Sequence, residues 1–168
     1  YHMGEVTAHA FGPVPLAPTY SYIAGDITNA YTSKVSHVSR AMVAFNTGVS
    51  TAPMCFAVFD RVVSANASFP KTWLIHSIQE PMVSGSRITI ERTGAAYGGG
   101  VYDGRLTVDT LLPGGANLAK IGGPGQEFWI PSTATNYPST KPAPAEPGAW
   151  RVEVSPASAA LEDHFFHF

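Results

Sequence analysis

Apolar and polar positions alternate along this chain over short stretches, and Gly or Pro interrupts nearly every stretch after a handful of residues. Alternation of this kind sends every second side chain to one face of a strand. The stretches are rich in Val, Ile, Thr, Phe, Tyr and Trp, which fit a pleated, half-buried surface. They predict strands at Glu5–Phe11, Lys34–Phe45, Met54–Val63, Lys71–Gln79, Arg87–Arg92, Val101–Leu112, Glu127–Ile130, Ala149–Val154 and Leu161–Phe168. Fourteen prolines and sixteen glycines supply the turn signals between them. No window sustains a helical apolar period, so helix is confined to single turns at Asp26–Tyr31 and Ala157–Leu161.

Short strands that each need to bury one face predict an all-β fold, an antiparallel β-sandwich or jelly roll. With 168 residues the chain has the length of one ordinary domain, so residues 1–168 are expected to form a single β-sandwich. The proline-rich segment Tyr137–Gly148 cannot donate a regular ladder of hydrogen bonds and is expected to be a surface loop inside that domain. No internal repeat is present.

Composition narrows the class of partner. Hydrophobic residues make up 45% and charged residues 13%, so the surface leans on Ser, Thr, Asn and Gly, as in many carbohydrate-handling proteins of the periplasm or extracellular space. A formal net charge of −2 with scattered Lys and Arg supplies no general positive field for nucleic acid or an anionic bilayer. No apolar run reaches the ~20 residues of a membrane span. Cys55 lies in the apolar run Met54–Phe59 beside Asp60, has no partner for an internal disulfide, and reads as a small apolar residue.

Local chemical motifs are few. The runs Gly98-Gly99-Gly100, Gly114-Gly115 and Gly122-Gly123-Pro124-Gly125 lead into no helix and lack a Lys-Ser/Thr ending, so they are expected to be hairpin loops. There is no Gly-x-Ser-x-Gly, and the carboxylates are too scattered to nominate a glycosidase pair. Histidine is the remaining metal-ligand type. Strand parity sets His76 with Leu74 and Ile78, His167 with Leu161 and Phe165, and His9 with Thr7 and Phe11. His9, His76 and His167 are thereby the candidate ligands for copper or zinc, should the inward faces of three strands converge. His164 and His167 point to opposite faces of one strand and make no such pair.

Longer phrases carry a resemblance. Tyr20-Ser21-Tyr22-Ile23-Ala24-Gly25-Asp26-Ile27-Thr28-Asn29-Ala30-Tyr31, Phe59-Asp60-Arg61-Val62-Val63, Trp73-Leu74-Ile75-His76-Ser77, Asp109-Thr110-Leu111-Leu112-Pro113 and Gly122–Trp129 follow one another in an order that resembles the C-terminal β-rich region of heparinase II/III-like polysaccharide lyases. Gly148–Val154 and Asp163–His167 fit the same ending. The resemblance spans the chain from about Val6 onward and implies a carbohydrate-active context, in which members cleave acidic polysaccharides by β-elimination. The family's catalytic Tyr and His residues lie mainly on a helical toroid, which this sequence does not show, and on the early β strands that face it, so no catalytic residue is carried over and no elimination is expected of this chain alone. Tyr20, Tyr22, Tyr31 and His37 are the groups that could in principle serve as acid and base.

Three readings follow. The first is a carbohydrate-active β domain that binds or positions a polysaccharide, with Trp73, Trp129, Trp150 or Tyr137 as ring-stacking residues unless the core claims them. The second is a stand-alone histidine-ligated copper or zinc enzyme attacking polysaccharide. The third is a structural module that forms a homodimer through sheet faces.

Overall fold

A computed structural model describes residues 3–97, 100–137 and 149–168, and they are almost entirely antiparallel β-structure. The strands are β1 (Glu5–Gly12), β2 (Tyr20–Asp26), β3 (Val35–Val49), β4 (Ala52–Ser64), β5 (Trp73–Ser77), β6 (Met82–Ser84) and β7 (Arg87–Tyr97). They continue with β8 (Gly100–Leu112), β9 (Asn117–Gly122), β10 (Trp129–Ile130), β11 (Thr135–Asn136), β12 (Trp150–Ser155) and β13 (Glu162–His167). A 3-10 turn at Thr28–Ala30 falls where the first helical turn is expected, whereas Ala157–Leu161 forms none. The expected loop at Tyr137–Gly148 lies outside the described residues beyond Tyr137, as does most of the run Gly98–Gly100.

The chain divides into two compact units, Tyr1–Lys71 with Thr110–Gly115 and Pro156–Phe168, and Thr72–Asp109 with Ala116–Ser155. The second unit is the sandwich. Its ladders β6-β7-β8 and β5-β12-β9 enclose a core in which Ile88, Val152 and Val154 are wholly buried and Val108 nearly so. Trp73, Ile75, Ile90 and Leu118 pack against that core, which alternation along β5, β7 and β9 directs inward. Trp73 thus serves the core. Trp150 is held at the end of the same ladder, where Gly123 lies so close to its ring that a Cβ there would stand 2.7 Å from it.

This packing corrects the expected facing of β5. Trp73 and Ile75 turn inward, while Leu74, His76 and Ile78 are exposed. The large indole gains more by burial than Leu74 does, and the strand's parity follows it. The run Gly114-Gly115 also differs from expectation: β9 pairs with β12 and not with β8, so this loop joins strands of different ladders and closes no hairpin.

The first unit is one broad sheet in the order β1-β2-β3-β4-β13 followed by the end of β8. Four strands form a meander, and β13 inserts beside β4, pairing Phe166 with Leu112 and His167 with Thr110 on its other side. No second sheet from this unit covers it, and large apolar side chains stay exposed: Phe11, Ile23, Met42 and Phe56 on one face, Phe59 and Leu112 on the other. One corner is closed by a buried ion pair, Lys71 Nζ to Asp163 Oδ2 at 2.9 Å, with Lys71 also donating to the Ala160 carbonyl at 2.5 Å and to Ser64 Oγ at 3.3 Å.

The sandwich core sets a contrast that urea denaturation can read. Ile88→Ala is expected to cost ~2–5 kcal/mol, while Leu74→Ala on the exposed face of β5 is expected to change stability by about 0.5 kcal/mol or less. A large loss for Leu74→Ala would reverse the assigned facing.

Candidate functional site

The site is built on the exposed face of the β1–β4 meander. Pairing registers lay its residues out in rows: Val6, Gly25, Arg40 and Asp60, then His9, Ile23, Met42 and Val58, then Phe11, Ser21, Ala44 and Phe56. Opposed residues of an antiparallel ladder share a face, and so do alternate residues along each strand. Gly25 is needed in its row because a Cβ there would stand 3.0 Å from the Glu5 carbonyl, next to the bulge that β1 makes between Val6 and Ala8.

Within this surface lies an open hollow of about 320 Å³. Val6, Ile23, Ile27 and Met42 make it largely apolar, and Arg40 is the charged side chain on its face, since Glu5 pairs with Asp26 in a row of the opposite face. Asp60 fixes Arg40. Nε donates to Oδ1 at 2.6 Å and Nη2 to Oδ2 at 2.7 Å, a two-pronged pair in which Asp60 is 5% exposed and the arginine side chain 42%. These hydrogen bonds also raise the guanidinium pKa, so Arg40 stays charged. The fork geometry commits one edge of the guanidinium and leaves its other N–H groups for a ligand.

Further along the sheet, His167 is 3% exposed and shares a 3.2 Å hydrogen bond between Nδ1 and Thr110 Oγ1. Burial pushes its pKa down to about 4; Asp60 opposes that shift and Arg40 adds to it. At neutral pH the ring is uncharged.

The three candidate metal ligands do not gather. His9 and His167 occupy the same transverse row and the same face, as parity requires, but β2, β3 and β4 stand between their strands. Four strand spacings separate them by ~19 Å, far beyond the reach of one ion. His76 belongs to the second unit and to the exposed face of β5. Among the described residues, no group of three or more His, Cys, Asp or Glu side chains is placed to hold a metal.

Two of the acid–base candidates, Tyr22 and His37, are far apart. Tyr22 pairs with Val43, six residues along β3 from His37, a distance of ~20 Å. His37 is engaged with Ser39 Oγ at 3.1 Å and lies 3.7 Å from Asp26. Tyr31 follows the 3-10 turn and is exposed, and Tyr20 is exposed at the start of β2. Of the aromatic stacking candidates only Tyr137 is prominently exposed, so the open rings on the β1–β4 face are phenylalanines.

The chain matches no protein-family model and no characterised protein. What it does is therefore read from its own side chains. The sequence reading passed over Arg40 and Asp60, although a carboxylate in the middle of Phe56-Ala57-Val58-Phe59-Asp60-Arg61-Val62-Val63 signals a buried charge in need of a cation.

Neutral His167 has a stability consequence. Its folded pKa lies below the ordinary value of 6.5, so the unfolded chain takes up the proton first as pH falls. The stabilisation is complete above pH 6.5 and is lost progressively toward pH 4, by up to about 3 kcal/mol. His167→Gln, which can keep a bond to Thr110, is expected to lose correspondingly less stability across that window. Parallel curves for the two proteins in pH-dependent urea titrations would contradict this.

Proposed function

We propose that this chain is a carbohydrate-binding β domain that holds a polysaccharide against the exposed face of β1–β4. The observation that carries the reading is Arg40: a guanidinium locked by a buried carboxylate and set in the wall of an open, mainly apolar hollow on a sheet face. A sugar ring presents both surfaces that such a hollow asks for. Its C–H face covers Ile23 and Met42, and its hydroxyls accept from Arg40. At about 320 Å³ it is at the small end of small-molecule sites, which are typically apolar with a few placed polar groups. The low share of charged residues and the resemblance to polysaccharide lyases support the same class of ligand.

The role assigned is binding and positioning. Tyr22 and His37, two of the residue types that would share proton transfer, are far apart on the sheet.

Affinity electrophoresis through native gels containing soluble polysaccharides tests the proposal. The unmodified chain is expected to be retarded by at least one of them. Arg40→Lys keeps the charge beside Asp60 but loses the planar fork, and is expected to weaken binding about tenfold. Migration unaffected by every polysaccharide, or full retardation of the Arg40→Lys variant, would overturn it.

A further inference from the structure

The face opposite the Arg40 hollow carries a polar row. Registers align Glu5, Asp26, Ser39, Arg61 and His164 across β1, β2, β3, β4 and β13, and residues opposed in this way share a face. His37 joins them, because it alternates with Ser39 along β3.

Three of these side chains stand in the order hydroxyl, imidazole, carboxylate. His37 Nε2 lies 3.1 Å from Ser39 Oγ, and Nδ1 of the same ring lies 3.7 Å from Asp26 Oδ2. The Thr28 amide steadies Asp26 by donating to Oδ1 at 2.8 Å. Hydrogen bonding from Thr28, and to a lesser degree the charge of His37, holds this carboxyl below its usual range, so it is ionised at neutral pH. A carboxylate on the Nδ1 side favours the tautomer with its proton there, which leaves Nε2 to take one from Ser39. At 3.7 Å the contact is longer than a hydrogen bond, and contacts of this kind tighten once substrate is bound. The His37 and Asp26 side chains are 31% and 42% exposed, so substrate and water can reach them.

The neighbours of Ser39 set the substrate. Arg61, directly across the ladder, is held by Glu162 through Nε at 2.8 Å and Nη2 at 3.0 Å. Its Nη1 hydrogens are left for an oxygen that gains charge beside Ser39. About 7 Å further along the strands the next row on this face is Ala8, Ala24, Ala41 and Phe59. It is low until the Phe59 ring, which stacks on His164. A short acyl group fits over Ala24 and Ala41 and stops at that ring. One side-chain donor on a face open to water suits an ester, whose alcohol leaves more readily than an amine.

We propose that Ser39, His37 and Asp26 form a hydrolytic site for short-chain carboxylic esters, with Arg61 as donor to the developing oxyanion. Ser39 Oγ bonds to the acyl carbon while its proton passes to His37 Nε2; the bond from that carbon to the leaving oxygen breaks, and the departing alkoxide takes the proton. Water, deprotonated by the same nitrogen, then splits the acyl-serine, which releases the carboxylic acid and returns a proton to Ser39. Asp26 is a positioning residue that acts through the His37 ring. The site lies on the other face of the sheet from the polysaccharide surface proposed above and does not depend on it.

Two measurements on the full chain test the site: hydrolysis of p-nitrophenyl acetate and octanoate, and labelling by a fluorophosphonate mapped by mass spectrometry. The acetate is expected to be turned over at least about tenfold faster than the octanoate, and the label to fall on Ser39. Ser39→Ala and His37→Gln are each expected to lower kcat about a hundredfold or more. Asp26→Asn is expected to lower kcat about tenfold or more with KM unchanged, a split that a merely structural role would not produce. Ser36→Ala, whose hydroxyl donates to the Val63 carbonyl, is expected to leave the rate as it was. Absence of label at Ser39, undiminished hydrolysis by Ser39→Ala, or octanoate turned over as fast as acetate would each overturn the proposal. Labelling of the unmodified chain decides even where a variant loses stability.

Discussion

A carboxylate buried in the middle of a sheet has to be answered by a cation, and Asp60 is answered by Arg40. The pair spans β3 and β4 in the middle of the first unit, and both of its hydrogen bonds are short and charge-assisted. Removing the arginine outright would leave a buried charge uncompensated, which is among the more damaging changes a fold can suffer. The same constraint is what makes the guanidinium useful. A free surface arginine would lose side-chain entropy on meeting a ligand, whereas this one is already held in place by the fold.

That pair also shapes the electrostatics of the surface around it. Because Asp60 cancels Arg40, the hollow offers directed donors without a positive field, and the apolar residues Ile23 and Met42 beside it stay open. The second unit has an apolar core of its own, where Ile88, Val152 and Val154 are sealed between two ladders. One unit supplies the packed sandwich, and the other a sheet whose Arg40 face is buried at Asp60, Phe165 and His167 and open at Ile23 and Met42.

Much of the β-structure was legible because its signals are local. Alternating apolar residues with turn residues at their ends mark β1, β4, β7, β12 and β13 to within a few residues. The strand β2 escaped because Ala24 and Gly25 weaken its pattern, and Gly25 is there to let the β1 backbone approach. The strand β9 escaped because Leu118 is followed on the same parity by Lys120, which reaches out to Glu80 and over the Trp150 ring. The histidines show where local reasoning stops. Parity placed His9 and His167 on one face, yet the insertion of β13 beyond β4 set them four strands apart, and strand order is written in no single segment. The Arg40–Asp60 pair needed the β3–β4 register, which is displaced by an irregularity between Asn46 and Val49 near the turn.

Amide and arginine Nε chemical shifts, followed by NMR as an oligosaccharide that the chain binds is added, test the central claim most directly. The Arg40 Nε–H, which stays bonded to Asp60, should remain in place as a sharp, exchange-protected signal, while the largest amide shifts fall at Ile23, Gly25, Met42 and Ala44. Shifts confined to the second unit, or to the face of Phe59 and Leu112, would contradict it.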